Sequence, residues 1–177
     1  SLFQACADHG CKHVIFSSTC ATYGDHDNVV LTEASEQRPV NAYGSSKRAV
    51  EEMLRQISKS AGLEYAIFRY FNVAGASLGG KIGQISRGDQ LFKNLSVEIN
   101  KKKPNFKIYG NNYKTPDGTC IRDYIHVSDI ADIHLKTLMK LGKLNKSVIL
   151  NCGYSKGVSV KEVVNEFKKY SKKKIIL

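Results

Sequence analysis

The chain lacks any apolar stretch long enough to cross a membrane. None of its hydrophobic runs approaches the roughly 20 residues that a membrane-spanning helix needs. The first residues, Ser1 to Gln4, are neither basic nor followed by a long apolar core, so no secretory signal is predicted. With 42% hydrophobic and 24% charged residues, the composition is typical of a soluble globular protein.

The cysteines lack the C-x-x-C spacing that is typical of zinc sites and redox motifs. The five are Cys6, Cys11, Cys20, Cys120 and Cys152. An odd, scattered set predicts reduced thiols in a cytosolic protein and argues against a disulfide framework. The five histidines form no metal-type cluster either, so we predict that no metal is bound.

Acidic residues are scarce: 16 stand against 27 basic ones, which gives a net charge of +11 at pH 7. A charge of this size suggests a nucleic-acid-binding protein as one hypothesis. Most of the charge is lysine, and no interleaved aromatic–arginine pattern for base stacking accompanies it. We therefore predict a lysine-rich solvated surface and no nucleic-acid partner, although the charge could also steer an anionic substrate.

Hydrophobic periodicity predicts strands that alternate with helices. Short apolar runs predict strands over 13–16, 65–71, 106–109, 120–127 and 148–151, and the start of one over 174–177. Helical spacing predicts helices over 2–9, 42–59, 91–99 and 130–141, and the capping box of Ser159 and Glu162 begins another. Alternation of this kind indicates an α/β fold with a parallel sheet.

Polar residues follow two of the predicted strands, where sites in parallel sheets are found. Ser17-Ser18-Thr19 ends the first strand, and Asn72 follows the second. Tyr43 and Lys47 lie four residues apart, on one face of the next helix. An ammonium fixed beside a phenol favours the phenolate, and a hydroxyl aimed at the same substrate oxygen completes a proton-transfer unit. The alternative is an ordinary amphipathic helix with a surface lysine.

Four motifs occur in order along the chain. They are Phe16-Ser17-Ser18-Thr19 with Tyr23-Gly24, Tyr43-Gly44-Ser45-Ser46-Lys47, R-Y-F-N-V-A-G-A over 69–76, and D-G-T-C-I-R-D-Y-I-H-V-S-D over 117–129. The last two are far more specific than a tyrosine and a lysine four residues apart. On these motifs, nearly the whole chain resembles the extended short-chain dehydrogenase/reductase superfamily and, within it, the UDP-glucose 4-epimerases.

The resemblance implies part of a doubly wound, Rossmann-like parallel sheet together with part of a smaller α/β substrate domain. Residues 1–75 would form the C-terminal half of the NAD-binding domain. Residues 76–177 would mostly bind the nucleotide sugar, with a segment at about 120–150 returning to the first domain. A homodimer in the full-length enzyme, formed through helices such as residues 42–59, is a further implication.

The activity implied is an NAD-dependent, reversible inversion at C4 of a UDP-hexose (UDP-glucose or UDP-galactose) through a 4-keto intermediate. Tyr43 matches the base that takes the proton from the 4-hydroxyl. Lys47 matches the residue that binds the nicotinamide ribose and favours the phenolate. Thr19 matches the hydroxyl that hydrogen-bonds the 4-oxygen, although it could simply cap a turn.

Four further residues match binding positions of the family. Ser17 and Tyr70 would line the cofactor pocket, with Tyr43 and Lys47. Asn72 and Arg122 would contact the nucleotide sugar, and the planar guanidinium suits a pyrophosphate. Asn72 could instead be a turn former, and Arg122 could pair on the surface with a neighbouring aspartate. The role of Tyr23, near the sugar or merely packed, stays open.

The chain departs from the family in lacking the G-x-x-G-x-x-G turn that holds the NAD pyrophosphate. Gln90 also stands near where many relatives place Asn or His. We therefore expect the central part of a longer enzyme that is inactive by itself. A dehydratase or decarboxylase of the same superfamily is one alternative, but Cys20-Ala21 stand where a dehydratase would carry acidic residues. A binding fragment without cofactor is the other.

Overall fold

The computed structural model describes residues 1–26, 30–85, 88, 90–144 and 146–171. The strands are β1 His13–Thr19, β2 Glu64–Tyr70, β3 Asn72–Ala74, β4 Ile121–His126, β5 Val148–Cys152 and β6 Gly157–Ser159. The helices are α1 Leu2–Asp8, α2 Ala42–Ala61, α3 Leu91–Ile99, α4 Val127–Leu144 and α5 Val160–Tyr170. The 3₁₀ turn Cys20–Thr22 directly follows β1.

The chain divides into two compact units. The first consists of Ser1–Phe71 and Asp129–Gly153, and the second of Asn72–Ser128 and Tyr154–Leu177. The break between the units falls after Phe71, whereas the resemblance implied a boundary at residue 75. The segment that returns to the first unit is 129–153, whereas about 120–150 was expected. The reason is β3, which pairs with β4 of the second unit. The assignment of NAD and the nucleotide sugar to separate units stays a prediction.

The first unit contains a parallel sheet with the strand order β1-β2-β5. Its register pairs Thr19 with Tyr70, and Tyr70 with Cys152, so the carboxyl ends of all three strands lie at one edge. Its core is formed by Phe3 on α1, Leu54 on α2, Ile67 on β2 and Leu63 just before that strand. The predicted parallel α/β fold is confirmed.

Helix α2 begins and ends where local chemistry requires. The side chain of Asn41 caps it by accepting a 2.8 Å hydrogen bond from the backbone N–H of Gly44. Gly62 ends it in the left-handed conformation, with φ of 66°. Residues 42–59 were predicted to be helical, and the helix continues for two further residues to Ala61.

The second unit contains a small mixed sheet with the order β3-β4-β6, in which β3 and β4 are parallel and β6 is antiparallel. Leu95, Val163 and Val164 form its core. The predicted strand over 106–109 is wrong: Phe106 and Ile108 pack against this core, but their backbone joins no ladder. The predicted capping box at the start of α5 is confirmed. The predicted strand over 174–177 lies outside the described residues.

Two general features complete the description. Among the helices of the described ranges, we find none with the length and apolar character that a membrane crossing requires. None of the five cysteines, all of which lie in the described ranges, forms a disulfide; Cys152 is buried and Cys11 is exposed.

Candidate functional site

The carboxyl end of β1 presents Ser17, Ser18 and Thr19 in alternating directions, as a strand must. Ser17 is exposed, and its Oγ lies 3.0 Å from the hydroxyl oxygen of Tyr70. Ser18 points the other way, where its buried hydroxyl donates to Glu51. Thr19 begins the 3₁₀ turn, and its Oγ1 accepts a 3.2 Å hydrogen bond from the N–H of Ala21. Thr19 thus caps a turn, which was the alternative to a catalytic role. Its hydroxyl hydrogen is still available for donation to another group.

Lys47 connects α2 to the end of β1. Its Nζ donates a 2.8 Å hydrogen bond to the carbonyl oxygen of Ser17. The same ammonium lies 5.1 Å from the ring centroid of Phe16 and 5.9 Å from that of Tyr43. A positive charge is therefore held beside the phenol ring at the strand end.

Tyr43 lies in the first turn of α2, with 56% of its surface exposed. Its position depends on Gly44, the next residue. A Cβ on Gly44 would lie only 2.3 Å from the carbonyl oxygen of Ala21, so only glycine lets the helix approach the 3₁₀ turn this closely. The close approach brings the start of α2 against the turn that Thr19 begins. Of the residues predicted from the sequence, the structure therefore brings Ser17, Thr19, Tyr43, Lys47 and Tyr70 to one region of the first unit.

A buried ion pair lies beneath this region, between Glu51 on α2 and Arg69 on β2. The guanidinium binds the carboxylate with both Nε (3.1 Å) and Nη2 (2.7 Å). The carboxylate also accepts hydrogen bonds from Ser18 and Gln37, at 2.5 and 3.0 Å. Burial alone would raise the pKa of Glu51, but Arg69 and these hydrogen bonds outweigh it and leave that pKa below its ordinary value.

Tyr23 belongs to the same network. Its hydroxyl donates to Asn151 Oδ1 at 2.6 Å and accepts from Arg69 Nη1 at 2.8 Å. Its ring is fully buried, with the guanidinium 4.9 Å from the centroid. Burial raises the pKa of Tyr23 more than Arg69 and Asn151 lower it. The open question about Tyr23 is thus answered: this side chain is packed in the interior.

Sequence reasoning missed this network, and one signal could have suggested it. Tyr43, Lys47 and Glu51 follow one another at intervals of four, so they form one stripe along α2. Because Tyr43 and Lys47 face the sheet, Glu51 on the same stripe faces it too. A carboxylate buried there needs a cationic partner, which the sheet can provide. The register that pairs Ser18 with Arg69 supplies it.

Tyr70 takes part in a second set of hydrogen bonds. Besides Ser17, its hydroxyl contacts Nε2 of His134 on α4 at 2.9 Å. Burial raises the pKa of Tyr70, although the hydrogen bond from Ser17 lowers it in part. His134 and Tyr70 are 64 residues apart in the sequence, so local spacing gives no sign of this contact.

The two remaining predicted residues lie in the second unit. The side-chain N–H of Asn72 donates to the carbonyl oxygen of Asp123 at 3.0 Å. Arg122 is exposed, and within the described residues it forms no ion pair. Asp123 instead accepts from the backbone N–H groups of Tyr154 and Ser155. The aspartate pairing considered for Arg122 is therefore absent from that part of the chain.

Known proteins share this architecture. The UDP-glucose 4-epimerase of Azospirillum brasilense is 44% identical over 97% of this chain and 49% of its own length. UDP-arabinose 4-epimerase 1 of Arabidopsis thaliana is 40% identical over 95% of this chain and 41% of its own length. The chain thus spans about half the length of the curated relatives it matches.

Solved structures give the same result. The UDP-glucose 4-epimerase from Stenotrophomonas maltophila, with bound NAD and formylated UDP-arabinopyranose, superimposes with a TM-score of 0.92 and 31% identity, over 99% of this chain and 53% of that one. The enzyme from Brucella ovis in complex with NAD gives 0.84 and 36%, over 93% and 51%. Residues 1–153 match the family model described as NAD dependent epimerase/dehydratase family. The chain is therefore a member of the NAD dependent epimerase/dehydratase family.

Proposed function

We propose that this chain supplies the proton-transfer residues of an NAD-dependent epimerase that inverts C4 of a UDP-sugar. The observation that supports this most is the 2.8 Å hydrogen bond from Lys47 Nζ to the Ser17 carbonyl. It holds an ammonium at the end of β1, 5.9 Å from the ring of an exposed tyrosine one helical turn away. The similar UDP-glucose and UDP-arabinose 4-epimerases supply the substrate class.

The residues at this edge fit one half of NAD. The exposed Ser17 hydroxyl, the Tyr43 phenol and the Lys47 ammonium offer hydrogen-bonding partners to a nicotinamide ribose. The 177 residues contain no G-x-x-G-x-x-G turn, so we assign none of them to the pyrophosphate of NAD. When bound, NAD supplies a hydride acceptor and, after the substrate has turned, a hydride donor.

In the proposed mechanism, Tyr43 accepts the proton of the 4-hydroxyl while its phenolate form is stabilised by the Lys47 ammonium. Thr19 donates its hydroxyl hydrogen to the same sugar oxygen, because accepting from the N–H of Ala21 leaves that hydrogen available. The resulting 4-keto sugar turns over in the site. Tyr43 then returns the proton to the 4-oxygen, and the opposite configuration at C4 would arise because hydride comes back to the other face of the turned sugar.

We assign the nucleotide to the second unit. Arg122 offers an exposed guanidinium that can bind a pyrophosphate with two parallel hydrogen bonds. Asn72 retains its side-chain oxygen as an acceptor, because only its N–H is used by Asp123. A homodimer of the full-length protein is part of the proposal and rests on the family resemblance alone.

The relatives differ in the sugar that their names give. UDP-arabinose 4-epimerases are 40% identical to this chain, close to the 44% of the Azospirillum UDP-glucose enzyme. A UDP-pentose is therefore a second candidate substrate. The two differ by the C6 hydroxymethyl group, so parallel assays of UDP-galactose and UDP-arabinose distinguish them.

Replacement of Tyr43 by phenylalanine tests the proposal. The change removes the base but little volume, so in the full-length protein we expect turnover to fall by at least about a hundredfold, as for loss of a general base. Bound NAD should be retained. Tyr170→Phe is the matched control, because this tyrosine is 81% exposed on α5. Near-normal turnover of Tyr43→Phe would refute the assignment of the base.

A further inference from the structure

We propose that His134 is a positioning residue that fixes the direction of a hydrogen-bond chain ending at Ser17, and thereby makes the Ser17 hydroxyl oxygen an acceptor for a donor group of the ligand. The inference rests on the proposed function, in which Ser17 and Tyr70 line the cofactor pocket. Every residue of the chain of hydrogen bonds lies in the first unit.

Three contacts define this chain. The Nδ1 atom of His134 lies 2.8 Å from the carbonyl oxygen of Ile130, one turn earlier in α4. Its Nε2 lies 2.9 Å from the hydroxyl oxygen of Tyr70, which in turn lies 3.0 Å from Ser17 Oγ. All three distances are within the normal range for hydrogen bonds.

The chemistry of these groups sets the direction. A backbone carbonyl oxygen can only accept, so Nδ1 of His134 must carry the hydrogen. In the neutral imidazole, Nε2 is then an acceptor, and the Tyr70 hydroxyl must donate to it. Since Tyr70 has no second hydrogen to give, the Ser17 hydroxyl donates to Tyr70. The chain therefore runs from Ser17 through Tyr70 to His134.

The ring of His134 is held so that this direction persists. It packs edge-on against Phe68, with centroids 5.0 Å apart and an interplanar angle of 86°. Phe68 is fully buried in β2. The backbone contact with Ile130 fixes the other edge of the ring, so a ring flip, which puts carbon atoms where the two nitrogens lie, would lose both hydrogen bonds.

The consequence appears at the exposed end of the chain. Because Ser17 Oγ donates its hydrogen to Tyr70, the oxygen has only lone pairs left, and it can only accept further hydrogen bonds. The neighbouring Lys47 ammonium carries only donors. Ser17 thus supplies an acceptor suited to an amide N–H or a sugar O–H of the ligand. Without an acceptor at position 134, the Tyr70 hydroxyl can donate to Ser17, whose own hydrogen then faces the ligand.

The tautomer of His134 gives a direct test. Nitrogen NMR of the full-length protein with labelled histidine, at a pH where the ring is neutral, should show hydrogen on Nδ1 and an unprotonated Nε2. His134→Phe identifies the signal by its loss. His9, which caps the C-terminus of α1, is an internal comparison, because its Nδ1 also lies 2.9 Å from a carbonyl oxygen one turn earlier and the residue is exposed. A ring of His134 with hydrogen on Nε2 would overturn the proposed direction.

A double-mutant cycle tests the link to the ligand. His134→Phe should weaken NAD binding to the full-length apo-protein by about threefold to tenfold, the effect of one hydrogen bond. In a Ser17→Ala background the same change should have no further effect, because the acceptor is already gone. His134→Gln retains an acceptor oxygen and should restore most of the affinity. His9→Phe is the control for loss of a surface imidazole.

The outcomes are separable. If His134→Phe lowers the affinity for NAD equally in the wild-type and the Ser17→Ala backgrounds, His134 only supports packing, and the proposal is overturned. If His134→Phe does not fold, Tyr70→Phe interrupts the same chain and replaces it in the cycle. Failure of the wild-type protein to bind NAD would refute the cofactor assignment, while the tautomer measurement would still decide the direction of the chain.

Discussion

Replacing Glu51 by glutamine should destabilise the protein more than any other single isosteric change in the first unit. Glu51 has no exposed surface and lies opposite Arg69, which is also buried. Its carboxylate accepts four hydrogen bonds within 3.1 Å, from Arg69 Nε and Nη2, Ser18 and Gln37. Glutamine retains the shape but leaves the guanidinium without its counter-charge and turns an N–H towards other donors.

The magnitude follows from the burial. Breaking a buried ion pair by removing one partner costs about 3–5 kcal/mol. That is a large part of the roughly 5–15 kcal/mol by which a domain is stable. Urea unfolding followed by circular dichroism measures it. Glu52→Gln is the matched control, because this neighbour pairs with Arg55 on the surface and its loss should produce no resolvable change.

The effect of Glu51→Gln should depend on pH in a defined direction. The pKa of Glu51 is lowered in the folded state, so the ionised form favours folding. Its contribution is complete above the unfolded pKa of about 4.3 and is lost as the pH falls through the lower folded value. The difference between wild type and Glu51→Gln should therefore shrink in acid. A difference below about 1 kcal/mol at neutral pH, or one independent of pH, would refute the reasoning, since unpaired buried charges cost more than that.

Three further predictions concern other parts of the molecule. Arg122→Lys retains the charge but loses the planar fork, so calorimetry should show weaker UDP binding with NAD binding unchanged; equal affinity for UDP would contradict the assignment. Burial raises the pKa of Cys152 to about 11, so iodoacetamide at neutral pH should modify Cys11 and spare Cys152 until urea unfolds the protein; equal labelling of both, by peptide mass spectrometry, would contradict this. Gly44→Ala places a Cβ 2.3 Å from a backbone oxygen and should cost about 1–3 kcal/mol and most of the activity, whereas Gly79→Ala, with open space around it, should be neutral; equal unfolding midpoints would show that the helix can move aside.

Elements with strong periodicity could be predicted from the sequence. The apolar run that becomes β1, the spacing of α2 and the capping box of α5 all give the observed structure because each is a local pattern. The prediction over 106–109 fails because Phe106 and Ile108 are buried by packing against the core of the second unit, which does not require a hydrogen-bonded ladder. The three-residue strands β3 and β6 are too short to carry any period.

The candidate site divides in the same way. Tyr43 and Lys47 were predictable because a helix brings residues four apart together. The pairing of Glu51 with Arg69 depends on the register between β1 and β2, and the contact of Tyr70 with His134 depends on how α4 packs. Neither is encoded in local spacing. Positions of residues that act together were therefore foreseeable within an element, and contacts between elements were not.

The fate of the hydrogen at C4 tests the central claim most directly. A UDP-hexose carrying deuterium at C4 should be converted by the full-length protein into its epimer with the deuterium still at C4, because the hydride leaves that carbon and returns to it. The product isolated from ordinary water and analysed by mass spectrometry and NMR gives the answer. Full retention at C4 is the predicted result. Replacement of the deuterium by solvent hydrogen would mean that C4 is deprotonated instead, and would contradict the account.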